Sequence, residues 1–168
     1  MRYLPGRAVA VALLLVTAGC TSGSGTAAPS PTPAVTGDAG CGDTPIMTGG
    51  VPAWTKSANP PVFLRHVLSR EQNLIGMLFA DPLRVPSPPG GPNNKILWIV
   101  REPRNGQPLE LTLTPTGAGA PVSVTEVADS SPGEIYPSIV DVPTPGCWSV
   151  RAEWDGHTAT LALPYQAG

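Results

Sequence analysis

The dipeptide Asp155-Gly156, set between two stretches of alternating apolar and polar residues, constrains this chain more than any other feature. Asp-Gly suits a two-residue type I′ turn, because both central positions need positive φ and the turn's twist matches that of paired strands. Counting outward from the turn pairs Trp154 with His157, Ala152 with Ala159, Val150 with Leu161 and Trp148 with Leu163. Side chains alternate along a strand, so these residues share one largely apolar face, the one expected to meet the core. The opposite face takes Glu153 with Thr158, Arg151 with Thr160 and Ser149 with Ala162, a set suited to solvent.

A second hairpin is predicted around Asn105-Gly106, joining residues 95–101 to residues 109–114. Its register sets Trp98 opposite Leu113 and Val100 opposite Leu111, with Arg101 and Glu110 as a cross-strand ion pair on the other face. Pro103 and Pro108 cannot donate to a ladder and shorten it near the turn. Leu97 and Ile99 make the second face of the first arm apolar as well, so that strand is expected to be central or covered on both sides.

Further strands are expected at residues 62–67, 74–79, 122–127 and 137–142, about eight in all, with 66–73 alternatively a helical turn. The chain carries 22 prolines and 19 glycines with 13% charged residues, which disfavours long helices. The expected fold is therefore all-β, an antiparallel immunoglobulin-like β-sandwich over residues 46–168. A small barrel meets the same pattern.

Ahead of this domain, Arg2 and Arg7 precede an apolar run at residues 8–16 and then Thr17-Ala18-Gly19-Cys20. A run of about ten residues is too short to cross a bilayer, which needs about 20, and it reads as the core of a cleaved signal. Ala18-Gly19-Cys20 resembles the end of a bacterial lipobox, although Thr17 stands where that motif prefers an aliphatic residue. The resemblance implies a lipoprotein signal peptide at residues 1–19 and a lipidated Cys20. Ordinary secretion, with Val16-Thr17-Ala18 as the cleavage site, is the alternative. Residues 20–45 are rich in Ser, Thr, Pro and Gly and are expected to form a flexible tether.

The chain holds 3 cysteines. An exported protein meets an oxidising environment, and with Cys20 taken by lipid only Cys41 and Cys147 remain to bridge. By the hairpin register Cys147 points away from Trp148 and the core, so this bridge is expected on the outside or rim of the sandwich, unlike the inter-sheet bridge of an antibody domain. The formal net charge is -2, with no basic stripe, so nucleic acid is not an expected partner and lipid is the expected hold on the membrane.

Chemistry-bearing patterns are sparse. Gly-x-Ser-x-Gly and Ser-x-x-Lys are missing, and the two histidines, His66 and His157, lie outside any familiar nucleophile–base pattern. His66 is expected to be an exposed strand residue and His157 a solvated residue beside the turn. Met47, Met77, His66 and His157 are scattered along the chain, and there is no Cys-x-x-Cys, His-Glu-x-x-His or calcium-loop spacing, so no metal or other cofactor is expected. Glu102, Glu110 and Glu153 have plain surface readings, although paired glycosidase carboxylates meet only in three dimensions. The segments 129–134 and 86–92 are the most loop-like insertions.

The strings Asn94-Lys-Ile-Leu-Trp-Ile-Val-Arg101 and Ile135-Tyr-Pro-Ser-Ile-Val-Asp-Val-Pro143, followed by Pro145-Gly-Cys-Trp148, resemble those of a group of exported lipoproteins of high-GC actinobacteria. The likeness spans residues 54–165. It implies a lipobox, a tether and a small sandwich of immunoglobulin-like outline, and it carries no activity and no site residue. The expected function is that of a lipid-anchored, non-enzymatic module on the extracytoplasmic face of the cell membrane, binding or supporting a cell-envelope protein or polymer. An envelope hydrolase with a spatially assembled site and a purely structural or stress-response lipoprotein are the alternatives.

Overall fold

A computed structural model describes residues 36–90, 93–129 and 134–168. The signal segment and Cys20 lie outside the described residues. Eleven strands occur among the described residues: β1 (Thr36–Cys41), β2 (Thr44–Thr48), β3 (Arg65–Leu68), β4 (Leu74–Leu78), β5 (Leu83–Val85), β6 (Lys95–Val100), β7 (Leu109–Pro115), β8 (Val122–Glu126), β9 (Ile135–Ile139), β10 (Gly146–Trp154) and β11 (His157–Ala167). They form two packed sheets, ordered β1-β2-β3-β4-β6-β9 and β5-β11-β10-β7-β8. Every pairing is antiparallel except that of β11 with the short β5. The all-β sandwich expected from the turn spacing is what the chain forms.

The β10–β11 hairpin has the register derived from its turn, from Trp154 opposite His157 to Trp148 opposite Leu163. Asp155 and Gly156 adopt φ of 41° and 78°, as a type I′ turn requires. Trp148, Val150, Ala152, Ala159, Leu161 and Leu163 join one core cluster with Val67, Leu74, Ile96, Trp98 and Tyr136 of the facing sheet.

The second hairpin does not form. Asn105 and Gly106 make the tight turn, with φ of 47° and 74°, but the arms part into different sheets. Trp98 pairs with Gly76 and Tyr136 within its own sheet, and Leu113 pairs with Val150 and Val122 in the other. Arg101 lies 3.9 Å from Glu102, and Glu110 faces Glu153 and Thr125. The physical reason lies in the two prolines and the two-faced arm. Pro103 and Pro108 remove ladder donors next to the turn, and a strand apolar on both faces is better satisfied inside a sheet. β6 sits between β4 and β9.

The outer face of β6 and β4 is covered by the segment leading from β2 to β3, which includes a 3-10 helix at Ala53–Ala58. Ala58 packs there with Ile75, Met77, Ile99 and Ile135, and Val51, Trp54, Leu64, Leu68 and Leu97 surround them. Strands β1 and β2 correct the expected domain boundary at 46, because residues 36–45 are already part of the sheet rather than tether. The strands expected at 62–67 and 74–79 are β3 and β4, and the alternative of a helical turn at 66–73 is not taken: β3 runs to Leu68 and a turn leads into β4.

The free edge of β11 is closed by groups from the other sheet. Arg70 donates its backbone N–H to the Thr160 carbonyl at 2.9 Å. Thr160 donates its own N–H and hydroxyl to the Glu71 carboxylate, each at 2.7 Å. Asn73 Nδ2 donates to the Thr158 carbonyl, and the Ala162 N–H donates to Thr44 Oγ1 at 2.8 Å. Farther along, Asn94 substitutes for a strand partner of β5, accepting from Arg84 N and donating to Arg84 O, both at 2.8 Å.

Candidate functional site

The disulfide pairs Cys41 with Cys147 across a Cα separation of 5.6 Å. Cys147 is half-buried on the outer face of β10, with Ser149 and Arg151 exposed beyond it. The bridge therefore joins the first strand of one sheet to the outside of the other, as the register required. Beside it the β1–β2 turn and the β3–β4 turn overhang β10 and β11, leaving a cleft of about 560 Å³ lined by Gly42, Asp43, Met47, Arg70, Cys147 and Thr160 among others. Arg70 and Asp43 form a 3.2 Å ion pair, both largely exposed. Such a pair is screened by solvent and shapes the cleft more than it stabilises it.

A smaller cleft of about 260 Å³ lies at the β10–β11 turn and collects Glu110, Glu153, Trp154, Asp155 and His157. The structure thus brings two of the three glutamates together, Glu110 directly opposite Glu153, and leaves Glu102 elsewhere. Arg151 donates to Glu153 Oε1 at 2.9 Å, and that hydrogen bond with the guanidinium charge holds the Glu153 carboxyl below its ordinary range. Asn105 Nδ2 donates to Asp155. His157 is half-buried and packs on the Trp154 ring at 5.7 Å between centroids. A general acid needs a raised carboxyl pKa, and Glu153 is shifted the opposite way.

Of the loop-like segment 129–134 only the ends, Asp129 and Glu134, are described, and both are engaged by Arg104. Its backbone N–H donates to Glu134 Oε2 at 2.9 Å and its guanidinium to the carbonyls of Ile135 and Asp129. Arg104 also lies over the Tyr136 ring, whose hydroxyl, desolvated by burial, is pushed up to about 12. In the proline-rich segment, Ser87 donates to Asp141 Oδ1, which also accepts from Asn94.

His66 departs most from expectation. It is fully buried, with 0% of its surface exposed, and among the described residues neither ring nitrogen has a hydrogen-bond partner. Burial pushes its pKa below the usual value; the Leu64 backbone is near enough to temper that shift without a hydrogen bond of good geometry. His66 stands in the middle of a row crossing three strands, with Met47 of β2 opposite on one side and Met77 of β4 on the other. Three of the four residues that looked scattered along the chain are therefore neighbours on one outer sheet face, while His157 is at the β10–β11 turn. No local pattern announces the row, because β2 holds only five residues, one of them Pro45, and does not read as a strand.

Comparison with protein-family models, with curated proteins and with solved structures returned no match. The functional reading rests on the residues themselves.

Proposed function

We propose that this is a lipid-anchored lipoprotein of the extracytoplasmic membrane face, whose sandwich of immunoglobulin-like outline binds or supports a cell-envelope protein or polymer without catalysis of its own. The observation that carries the reading is the Cys41–Cys147 disulfide. It fits an oxidising compartment and uses two of the 3 cysteines, leaving Cys20, which follows the apolar leader, as the one available for lipid. The side-chain geometry favours a binding module over a hydrolase: His157 packs on an indole, and Glu153 is engaged by Arg151.

The test is mass spectrometry of the mature N-terminus together with membrane fractionation of the Cys20→Ala chain. A diacylated Cys20 and release of the variant from membranes are expected. An unmodified N-terminus, or a variant that fractionates like wild type, refutes the anchor. Crosslinking in intact cells followed by mass spectrometry then identifies what the domain touches; turnover of ester, peptide or glycoside substrates that depends on His157 or Glu110 would replace the binding module with an enzyme.

A further inference from the structure

The geometry points to a binding site for a single soft monovalent cation, Cu(I) in chemical class, formed by the thioethers of Met47 and Met77 on either side of the His66 imidazole. Directly opposed residues on neighbouring antiparallel strands have side chains on the same face, with Cβ atoms about 4.5–5.5 Å apart. His66 has such a neighbour on each side. Methionine has three rotatable side-chain bonds, so each sulfur can turn toward a nitrogen of the ring between them, where the in-plane lone pair would meet a shared ion.

The donor set selects the ion. Two thioethers and one imidazole are soft, neutral ligands, which suit Cu(I) and leave oxygen-seeking ions such as Mg²⁺ and Ca²⁺ without a carboxylate. Residues continuing the row or flanking it on this face, Leu97, Pro137, Leu68, Ile75 and Ile99, are also uncharged. A low-dielectric, neutral surround disfavours a divalent ion more than a monovalent one.

Three further observations fit. Buried polar atoms nearly always find a partner, yet among the described residues neither His66 nitrogen has a hydrogen bond of good geometry, with only the Leu64 backbone near, a cost that a metal ligand would remove. Met47 is half-buried and lines the cleft beside the disulfide, giving an ion a way in, while Met77 is fully buried. Cys41 and Cys147 are bonded to each other and do not compete.

The site is independent of the anchor and is tested on the full chain carrying Cys20→Ala, disulfide intact, so that no free thiol binds the probe. Cu(I) is titrated anaerobically against a chromophoric Cu(I) chelator, with Ag(I) as an air-stable second probe read by thermal shift. One equivalent bound, with sulfur and nitrogen scatterers in the X-ray absorption spectrum, is expected. Met47→Leu and Met77→Leu, which preserve volume and should leave the fold intact, are each expected to weaken binding by at least about tenfold, the loss that even a supporting partner of a metal ligand produces. His157→Gln should leave affinity unchanged. Failure of the folded chain to compete with the chelator, binding unaffected by both methionine variants, or binding lost in His157→Gln each overturns the site.

Discussion

Gly76 lies in the middle of β4, on the core face, directly opposite Trp98 of β6. A Cβ added there would fall 2.7 Å from Trp98 Cζ3, 3.0 Å from Cε3 and 3.2 Å from Ile96 Cγ2. Carbon atoms pack best at about 3.5–4.0 Å, so the overlap with the indole is close to 1 Å. The indole is poorly placed to give way: Trp98 is fully buried, and its Nε1 donates to Ser138 Oγ at 2.9 Å. Overpacking of this kind costs about 1–3 kcal/mol, while Gly→Ala reduces unfolded-chain entropy by about 0.4–1 kcal/mol in the opposite direction. Gly76→Ala is therefore expected to destabilise the domain by about 1–2 kcal/mol, measured by urea unfolding followed through tryptophan fluorescence and circular dichroism. The decisive arm is the double variant. Trp98→Leu is itself destabilising, but it removes the ring atoms that clash. In that background Gly76→Ala should become neutral or stabilising by up to about 1 kcal/mol. An equal cost in both backgrounds, or no cost in the wild-type background, would refute the close approach of the indole to β4.

Burial raises the Glu71 carboxyl pKa, but the hydrogen bonds from the Thr160 N–H and hydroxyl outweigh it, with Arg70 assisting, so the folded value lies below the ordinary glutamate value of 4.5. A depressed folded pKa means that the contribution to stability is complete above the unfolded value and fades as pH falls through the folded one. Glu71→Gln should flatten the acid limb of the stability profile below pH 4.5 and, at an exposed site, cost no more than about 1 kcal/mol at neutral pH. Unchanged acid sensitivity in urea titrations across that range would exclude the effect. The Cys41→Ala/Cys147→Ala double variant opens a loop of sequence separation 106. Chain entropy sets the loss at about 5 kcal/mol as an upper figure. Guanidinium unfolding should show a loss of several kcal/mol, and one below about 1 kcal/mol would mean that the β1–β2 hairpin is held by its other contacts alone.

The β10–β11 hairpin was legible residue by residue because one turn dipeptide and one alternating pattern specify the same register. Asn105-Gly106 misled for a related reason. It specifies a turn, and the turn is there, but whether the arms remain partners depends on what else each can pair with. The apolar Leu97 and Ile99 already signalled that β6 wanted cover on both faces, and both the sheet position of β6 and the covering segment answer that demand. Strands β1, β2 and β5 were not legible, since Gly, Ala and Pro dominate β1 and its surroundings and β5 is completed by a side chain, Asn94. The Met47–His66–Met77 row was hidden for a topological reason: it exists only once residues separated along the chain are laid across three strands.

The hydrogen bonds that Thr44, Arg70, Glu71 and Asn73 make to β11 have a consequence for how copies of this protein coexist. A bare strand margin invites a stranger's strand, and crowded or tethered molecules meet often enough for that invitation to matter. Here the groups that seam the sheets together already occupy the positions an intruder would need, from Thr158 to Ala162. Acid that loosens Glu71 from Thr160 frees one N–H and one hydroxyl of that margin, while the bonds from Arg70, Asn73 and Thr44, none of which titrates, keep the rest of it closed.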